Sequence, residues 1–381
     1  MKVLFLYLNA FSYVGGIQKF NLNFLKALDE NTEKGIVVNA LSLSDLKKDL
    51  NKDFRCVNQQ TAEGNKFVFL LKAVRQGLTS DTIVFGHVNL IFPLALIYGL
   101  FTNKKLILIT HGIEIWKPLS FLKKICLRNL DLIITVSSFT KNKIVEVQRI
   151  DEKKIALLPN TLEPGFNFIP NTHFIELLRE KYGLKRDDKV LLTVCRLSKE
   201  EQYKGYDKVI QSLKGLSEQI SNIKYLIAGK YDIEEKERLH QIIKECGVEE
   251  KVILTGYVSD EELSSLYHLC DLFIMPSSNE GFGIVFLEAL ACGKPVIGGN
   301  KDGSVDALLN GELGLLVDPE NGEQICEALR NMLLKKADSH LLNPAYLKEK
   351  CISAFGFEKF SGKVEKLVLK REFKEELINA D

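Results

Sequence analysis

The chain has 381 residues, 46% of them hydrophobic and 27% charged, with a formal net charge of +1. That length exceeds the usual reach of one hydrophobic core and predicts two domains. A balance so close to neutral argues against nucleic-acid binding as the main activity.

The charge is unevenly placed. Residues 1–165 carry 22 Lys and Arg against 14 Asp and Glu, and the remainder carries 29 against 36. A basic first half suits a phosphorylated acceptor or an anionic membrane surface, and an ordinary surface imbalance explains it equally well. None of the eight cysteines forms a Cys-x-x-Cys pair, and Cys195, Cys270 and Cys292 sit in apolar runs as small hydrophobes. A strand expected at once from Lys2 makes a signal peptide unexpected, and a reducing cytoplasm, including the inner face of the membrane, suits the cysteines.

In chain order, strands are expected at Val3–Leu8, Gly35–Leu41, Thr82–Phe85, Lys105–Thr110 and Asp131–Val136. Helices at Ile17–Leu28, Phe67–Gly77 and Phe139–Val147 alternate with them. The apolar run Val88–Phe101 is too short to cross a bilayer and predicts a buried helix. The basic segment Leu119–Arg128 reads as an amphipathic helix covering the sheet, with a membrane-surface role as the alternative. Two prolines and a glycine in Leu158–Phe166 mark a linker. The pattern then restarts, with strands at Lys189–Val194, Tyr225–Ala228, Val252–Leu254, Leu272–Met275 and Pro295–Ile297. Helices at Tyr206–Leu216, Glu234–Cys246, Glu261–His268 and Ile284–Cys292 lie between them. Such alternation predicts two α/β, doubly wound, Rossmann-like domains, residues 1–165 and 166–355, followed by a charged C-terminal helix over 356–381.

Four places carry candidate chemistry. After a strand, Glu280-Gly281-Phe282-Gly283 opens a helix running through Ile284, Val285 and Glu288. Glycines there permit close backbone approach, and the helix start presents free amides to an anion. Two carboxylates beside an anion are best used as acceptors for sugar hydroxyls, although a capping acid and a buried-face acid explain them as well. Arg196 ends a strand and Lys204 precedes a helix; two such cations suit a leaving diphosphate. Gly15-Gly16 lies between the first strand and its helix, and His111 ends the strand Lys105–Thr110. The missing Gly-x-Gly-x-x-Gly fingerprint argues against a nicotinamide dehydrogenase. No metal site is expected: Asp187-Asp188 reads as a solvated turn, and the histidines lack ligand spacing.

Glu280-x7-Glu288 with Gly293-Lys294-Pro295-Val296-Ile297, Gly298–Gly303 and Gly311–Pro319 resembles the signature of retaining GT-B glycosyltransferases of family 4. Thr193–Leu197 with Gln202–Asp207 resembles the family's Arg/Lys segment. The resemblance implies a GT-B fold, with the first domain on the acceptor side, the second binding the donor nucleotide sugar, and the C-terminal helix packing back on the first. It implies Arg196 and Lys204 as leaving-group stabilisers, Glu280 on the donor sugar and Glu288 on the ribose. It places the backbone of Gly281 to Val285 on the sugar and diphosphate, Gly15 and Gly16 near the donor phosphate, and His111 near the donor sugar. Gly256-Tyr257-Val258 resembles the position that meets the base. Val136-Ser137-Ser138 and Leu158-Pro159-Asn160-Thr161 also match, except that Thr161 stands where the family has glycine. The implied reaction is metal-independent transfer of a hexose, UDP-linked or GDP-linked mannose, to a glycan, glycolipid or lipid-linked acceptor. It requires no cofactor and fits surface polysaccharide or glycoconjugate synthesis. A nucleotide-sugar epimerase and a non-catalytic sugar-nucleotide-binding protein are the alternatives.

Overall fold

The computed structural model describes residues 1–32, 35–51, 53–101, 104–166 and 169–370. The chain divides into two compact units, one formed by Met1–Pro164 with the C-terminal segment from Phe355, the other by Gly165–Ala354. Each is a Rossmann-like α/β unit built on a parallel sheet.

The first unit holds β1 (Lys2–Tyr7), β2 (Val37–Ser42), β3 (Val57–Thr61), β4 (Thr82–Phe85), β5 (Lys105–Thr110), β6 (Leu132–Thr135) and β7 (Ile155–Leu157). Their order is β3-β2-β1-β4-β5-β6-β7, all parallel. The central strands are near-continuous runs of Val, Ile, Leu and Phe because helices cover both faces of the sheet. The order reverses between β1 and β4, and at such a switch point a crevice opens outside the carboxyl ends of the strands.

The second unit holds β8 (Lys189–Val194), β9 (Ile223–Ala228), β10 (Val252–Gly256), β11 (Leu272–Met275), β12 (Val296–Gly299) and β13 (Leu315–Val317), in the order β10-β9-β8-β11-β12-β13. These pairs are parallel too, and the order reverses between β8 and β11.

Some elements differ from expectation. The run Val88–Phe101 is not one helix: a 3-10 turn spans Val88–Leu90, and the α-helix begins only at Leu94, after Pro93, which cannot donate to a preceding turn. Strand β3 carries the polar sequence Val-Asn-Gln-Gln-Thr at the sheet edge, where no apolar run announces it. Helices Thr172–Lys181, Gly322–Leu333 and Pro344–Phe355 complete the second unit. Asp188 is not solvated: it is buried and accepts from the Lys185 N–H at 2.8 Å, closing its turn.

At the C-terminus, a helix Phe357–Val364 continues into a π turn, Glu365–Leu369, and both belong to the first unit. Phe360 packs edge-on against Phe20 at 5.6 Å, and Asn31 Nδ2 donates to Ser361 Oγ at 2.6 Å. Residues 371–381 of the expected helix lie outside the described residues.

Candidate functional site

Both cations and the Glu280 loop lie at the switch point of the second unit, since the first follow β8 and the second follows β11. A 3-10 turn, Lys199–Lys204, carries Lys204 inward. Its side chain is only 12% exposed and pairs directly with the Glu280 carboxylate, itself 17% exposed. Burial pulls the Lys204 ammonium down. The Glu280 charge, the Tyr203 hydroxyl and the direct hydrogen bond outweigh it and hold the group above the ordinary lysine value. Arg196 is different. Its side chain is 71% exposed and pairs with Glu201, so it is an exposed cation at the rim and Lys204 a buried one.

Two supports hold the Lys204 turn. Gly205 has φ +76°, and a Cβ there would lie 2.4 Å from the Pro276 carbonyl oxygen, so only glycine lets this turn nest on the loop after β11. Ser278 N–H donates to the Tyr203 carbonyl at 2.9 Å. Behind the turn, buried Glu235 accepts from Gln202 Nε2 at 2.7 Å, from the Tyr206 hydroxyl at 2.7 Å and from the Arg238 guanidinium at 2.6 Å.

The Glu280 loop has its own anchor. Asp302, fully buried after β12, accepts from the Glu280 N–H at 2.6 Å, the Ser277 hydroxyl at 2.7 Å and the Ser304 N–H at 2.9 Å. Burial pushes its carboxyl up to about 6, against the pull of those hydrogen bonds. Sequence reading quoted Asp302 only as part of a glycine-rich run. Its signal was an acid between glycines at a strand end.

Gly283, at φ +92°, caps the helix Ile284–Ala291 with no side-chain cap, so the first amides are not met by a capping side chain. Gly281 and Val285 are half-buried, while Phe282 and Ile284 are buried. Glu288 is buried as well, and one carboxylate oxygen accepts from the Tyr267 hydroxyl at 2.7 Å. Gly256, the last residue of β10, takes φ +75°; after it Val258 is buried, and exposed Tyr257 has Lys230 over its ring at 5.0 Å.

In the first unit, Gly15 and Gly16 follow β1, and nothing lies within 4 Å of where a Gly16 Cβ would stand. Buried Asp45 fixes this loop by accepting from the backbone N–H groups of Ala10, Phe11 and Ser12 at 2.9, 2.9 and 3.0 Å. His111 follows β5. Its Nε2 lies 3.0 Å from the Gly86 carbonyl oxygen, and its ring meets Phe20 edge-on at 5.0 Å. His87 follows β4 and lies beside it, a neighbour that sequence reading did not single out.

The segment Leu119–Arg128 is only partly a sheet-covering helix. Cys126 and Leu127 enter the core, yet Phe121 is 76% exposed and Leu122 is exposed beside Lys123 and Lys124. No helix among the described residues is long and apolar enough to cross a membrane.

Known proteins align with this arrangement over both units. A family model described as "Glycosyl transferases group 1" matches residues 174–346, and one described as "Glycosyltransferase Family 4" matches residues 14–165. An uncharacterized glycosyltransferase of Methanocaldococcus jannaschii is 30% identical over 203 residues, 53% of this chain and 50% of that protein. A GDP-mannose-dependent alpha-(1-6)-phosphatidylinositol monomannoside mannosyltransferase of Mycobacterium tuberculosis is 28% identical over 270 residues, 67% of each. The matched part thus spans half to two thirds of these relatives' own length. Among solved structures, Anabaena HepE in complex with UDP superposes with a TM-score of 0.78 at 19% identity, covering 96% of this chain and 99% of that one, a likeness of fold. Both units answer to glycosyltransferase models that together take in most of the sequence. This chain therefore belongs to family 4 of the glycosyltransferases, with the GT-B fold.

Proposed function

We propose that this chain is a retaining, metal-independent hexosyltransferase that takes its sugar from a UDP-linked donor. The single observation that carries this reading is the buried Lys204–Glu280 pair at the second unit's switch point, clamped from behind by Asp302. A lysine held permanently beside a carboxylate is ready for an anion without being repelled from the interior. As the bond from the anomeric carbon to the diphosphate breaks, negative charge grows on the leaving oxygen. Lys204 meets it from a fixed position, and Arg196 leaves Glu201 to complete the clamp. The amides opened by Gly283 serve the same anion.

The acceptor oxygen then bonds to the anomeric carbon from the face the diphosphate leaves, and its proton passes to the departing phosphate. Glu280 accepts from a donor hydroxyl and Glu288 serves the ribose. Gly256, Tyr257 and Val258 border the base. Two cations supply the charge that a metal supplies elsewhere, so transfer continues in excess EDTA. The acceptor is a glycan or lipid-linked hydroxyl, in surface polysaccharide or glycoconjugate synthesis at the cytoplasmic face of a membrane. Exposed Phe121 and Leu122 beside lysines support that location.

A thermal-shift comparison of UDP, UDP-glucose, GDP and GDP-mannose tests the donor. Ligand at one hundred times its dissociation constant stabilises the native state by about 2.7 kcal/mol. UDP-glucose is expected to raise the melting temperature most. A larger shift with GDP-mannose overturns the choice of base in favour of the mycobacterial relative's donor, and no shift with any of the four overturns the reading itself.

A further inference from the structure

Glu235 lies in the first turn of the helix Ile233–Cys246, which follows β9, and is 1% exposed. Its carboxylate is met from three segments of the chain. Gln202 Nε2 donates from the 3-10 turn, the Tyr206 hydroxyl from the start of the helix Tyr206–Leu216, and Arg238 from one turn along its own helix. Arg238 Nη1 reaches on to Asp207 Oδ2 at 3.1 Å. Among the described residues none of the carboxylate's hydrogen bonds comes from Lys204 or Arg196.

Two of these donors bracket Lys204. Gln202 stands two residues before it and Tyr206 two residues after it. Both ends of the stretch 202–206 are therefore pinned to one carboxylate, with Lys204 in the middle. The same stretch also rests on the loop after β11, through Gly205 against the Pro276 carbonyl and the Ser278 N–H to the Tyr203 carbonyl. The lysine backbone is thus held by two separate segments, and its side chain alone reaches Glu280.

Burying a carboxylate is costly, and a buried ion pair can often be replaced by apolar side chains without loss of stability. Stability alone therefore does not account for a charge here. A carboxylate gives direction, which an apolar group does not: its oxygens place several donors relative to one point. Burial raises the Glu235 carboxyl, and the hydrogen bonds from Arg238, Tyr206 and Gln202 outweigh it and hold the group below the ordinary glutamate value. It is therefore an ionised acceptor at neutral pH.

A cation that stabilises growing charge works through its distance to the leaving oxygen, and a misplacement of about 1 Å can cost roughly 100-fold in rate. We propose that Glu235 is a positioning residue for Lys204, pinning the turn through Gln202 and Tyr206 and so setting where the ammonium stands. Its part in transfer rests on the glycosyltransferase reading, and its hold on the lysine does not.

Removing Glu235 would strand the Arg238 guanidinium, so the test removes the two donors and leaves the Glu235–Arg238 pair whole. The double variant Gln202→Leu, Tyr206→Phe does this. The first readout uses no nucleotide: acetylation of Lys204 by acetic anhydride in the folded full-length protein, followed by mass spectrometry. Lys141 is the control, 14% exposed against 12% for Lys204, and paired with Glu152 in the first unit. Lys204 is expected to react about fivefold faster in the double variant, with Lys141 unchanged. A general loss of stability would raise both. The second readout is UDP release from UDP-glucose. There kcat is expected to fall about tenfold while KM for UDP-glucose stays within about twofold, because the lysine acts on charge that appears only as the bond breaks. In a Lys204→Met background the same two substitutions are expected to cost nothing further. The proposal is overturned when Lys204 keeps its wild-type acetylation rate, when Lys204 and Lys141 rise together, or when the loss in kcat persists in full without Lys204. Failure of the nucleotide reading is seen separately, as a melting temperature that UDP leaves unmoved, and acetylation still decides the placement of the lysine.

Discussion

The two switch points share a topology and differ in their chemistry. At the second unit's, between β8 and β11, the inward groups are ions: Lys204 against Glu280, with Asp302 and Glu235 buried behind them. At the first unit's, between β1 and β4, they are imidazoles and amides. The His87 and His111 rings lie 6.5 Å apart, and Gln18 Nε2 donates to Asn9 Oδ1 at 2.7 Å. Asp45, the one acid buried in this unit among the described residues, is spent on backbone amides. A scaffold that repeats therefore does not repeat its side-chain chemistry. An ionic edge suits charge that grows during a reaction, and an edge of imidazoles and amides suits groups that give and take hydrogen bonds.

The largest test of that contrast removes the fixed cation. Lys204→Met leaves the Glu280 carboxylate without its partner, and kcat is expected to fall about 100-fold to 1,000-fold, as when one preorganised charge-stabilising group is lost. Arg196→Met, at the exposed rim, is expected to cost less than Lys204→Met. Equal losses would contradict the distinction between buried and exposed cation. Steady-state rates with circular dichroism as a folding control measure both.

Next in size is the anchor. Asp302→Ala strands three donors, Glu280 N–H, Ser304 N–H and the Ser277 hydroxyl, and is expected to destabilise by about 3 kcal/mol in urea unfolding. The milder Asp302→Asn isolates the charge. The folded carboxyl titrates near 6, above its unfolded value of 3.8. A raised acid contributes stability that is fully present below 3.8 and lost as pH rises through about 6. Wild type should therefore lose about 2 kcal/mol relative to Asp302→Asn between pH 4.5 and 7.5. Activity runs in the opposite sense, since only the ionised carboxylate accepts all three donors, and it is expected to fall below pH 6. A pH-independent difference between the two proteins would show that Asp302 does not titrate in this window.

How much of this was legible follows from where each signal lies. The central strands were readable because helices on both faces force them to be apolar throughout, as in Lys105–Thr110. Strand β3 was not, because an edge strand can be polar, and β7 and β13, at three residues each, fall below any pattern. Lys204 and Glu280 were singled out separately, but their pairing is a contact between residues 76 apart. Asp302 was missed for the same reason: it holds the Glu280 amide, distant in sequence. His87 makes only a local contact, with the Asn89 amide, and nothing in the sequence near it set it apart. The exposure of Phe121 was also hidden. An amphipathic pattern shows that a helix has an apolar face, and not that its first turn overhangs the core.

The smallest expected effect concerns the surface of the first unit. Its helix Lys66–Leu78 buries Phe69, Ala73 and Gly77, and Tyr98 donates to the Ala73 carbonyl at 2.6 Å. Its other face leaves Phe67, Leu71 and Leu78 exposed with Lys66 and Arg75. Large apolar side chains left in water beside basic ones are a cost to a freely dissolved protein, and the cost is recovered at an anionic bilayer surface. The basic excess of residues 1–165 has the sign such a surface attracts, and the acidic excess of the remainder has the opposite sign. Sedimentation with phosphatidylglycerol vesicles is expected to exceed that with phosphatidylcholine and to weaken with salt. The double substitution Phe67→Ser, Phe121→Ser should reduce partitioning about tenfold, or about 1.4 kcal/mol, with unchanged melting temperature because neither ring enters the core. Equal binding to both vesicle types would remove the electrostatic half of the argument. Unchanged partitioning of the double variant would remove the apolar half, and the basic excess of the first unit would then be an ordinary feature of its surface.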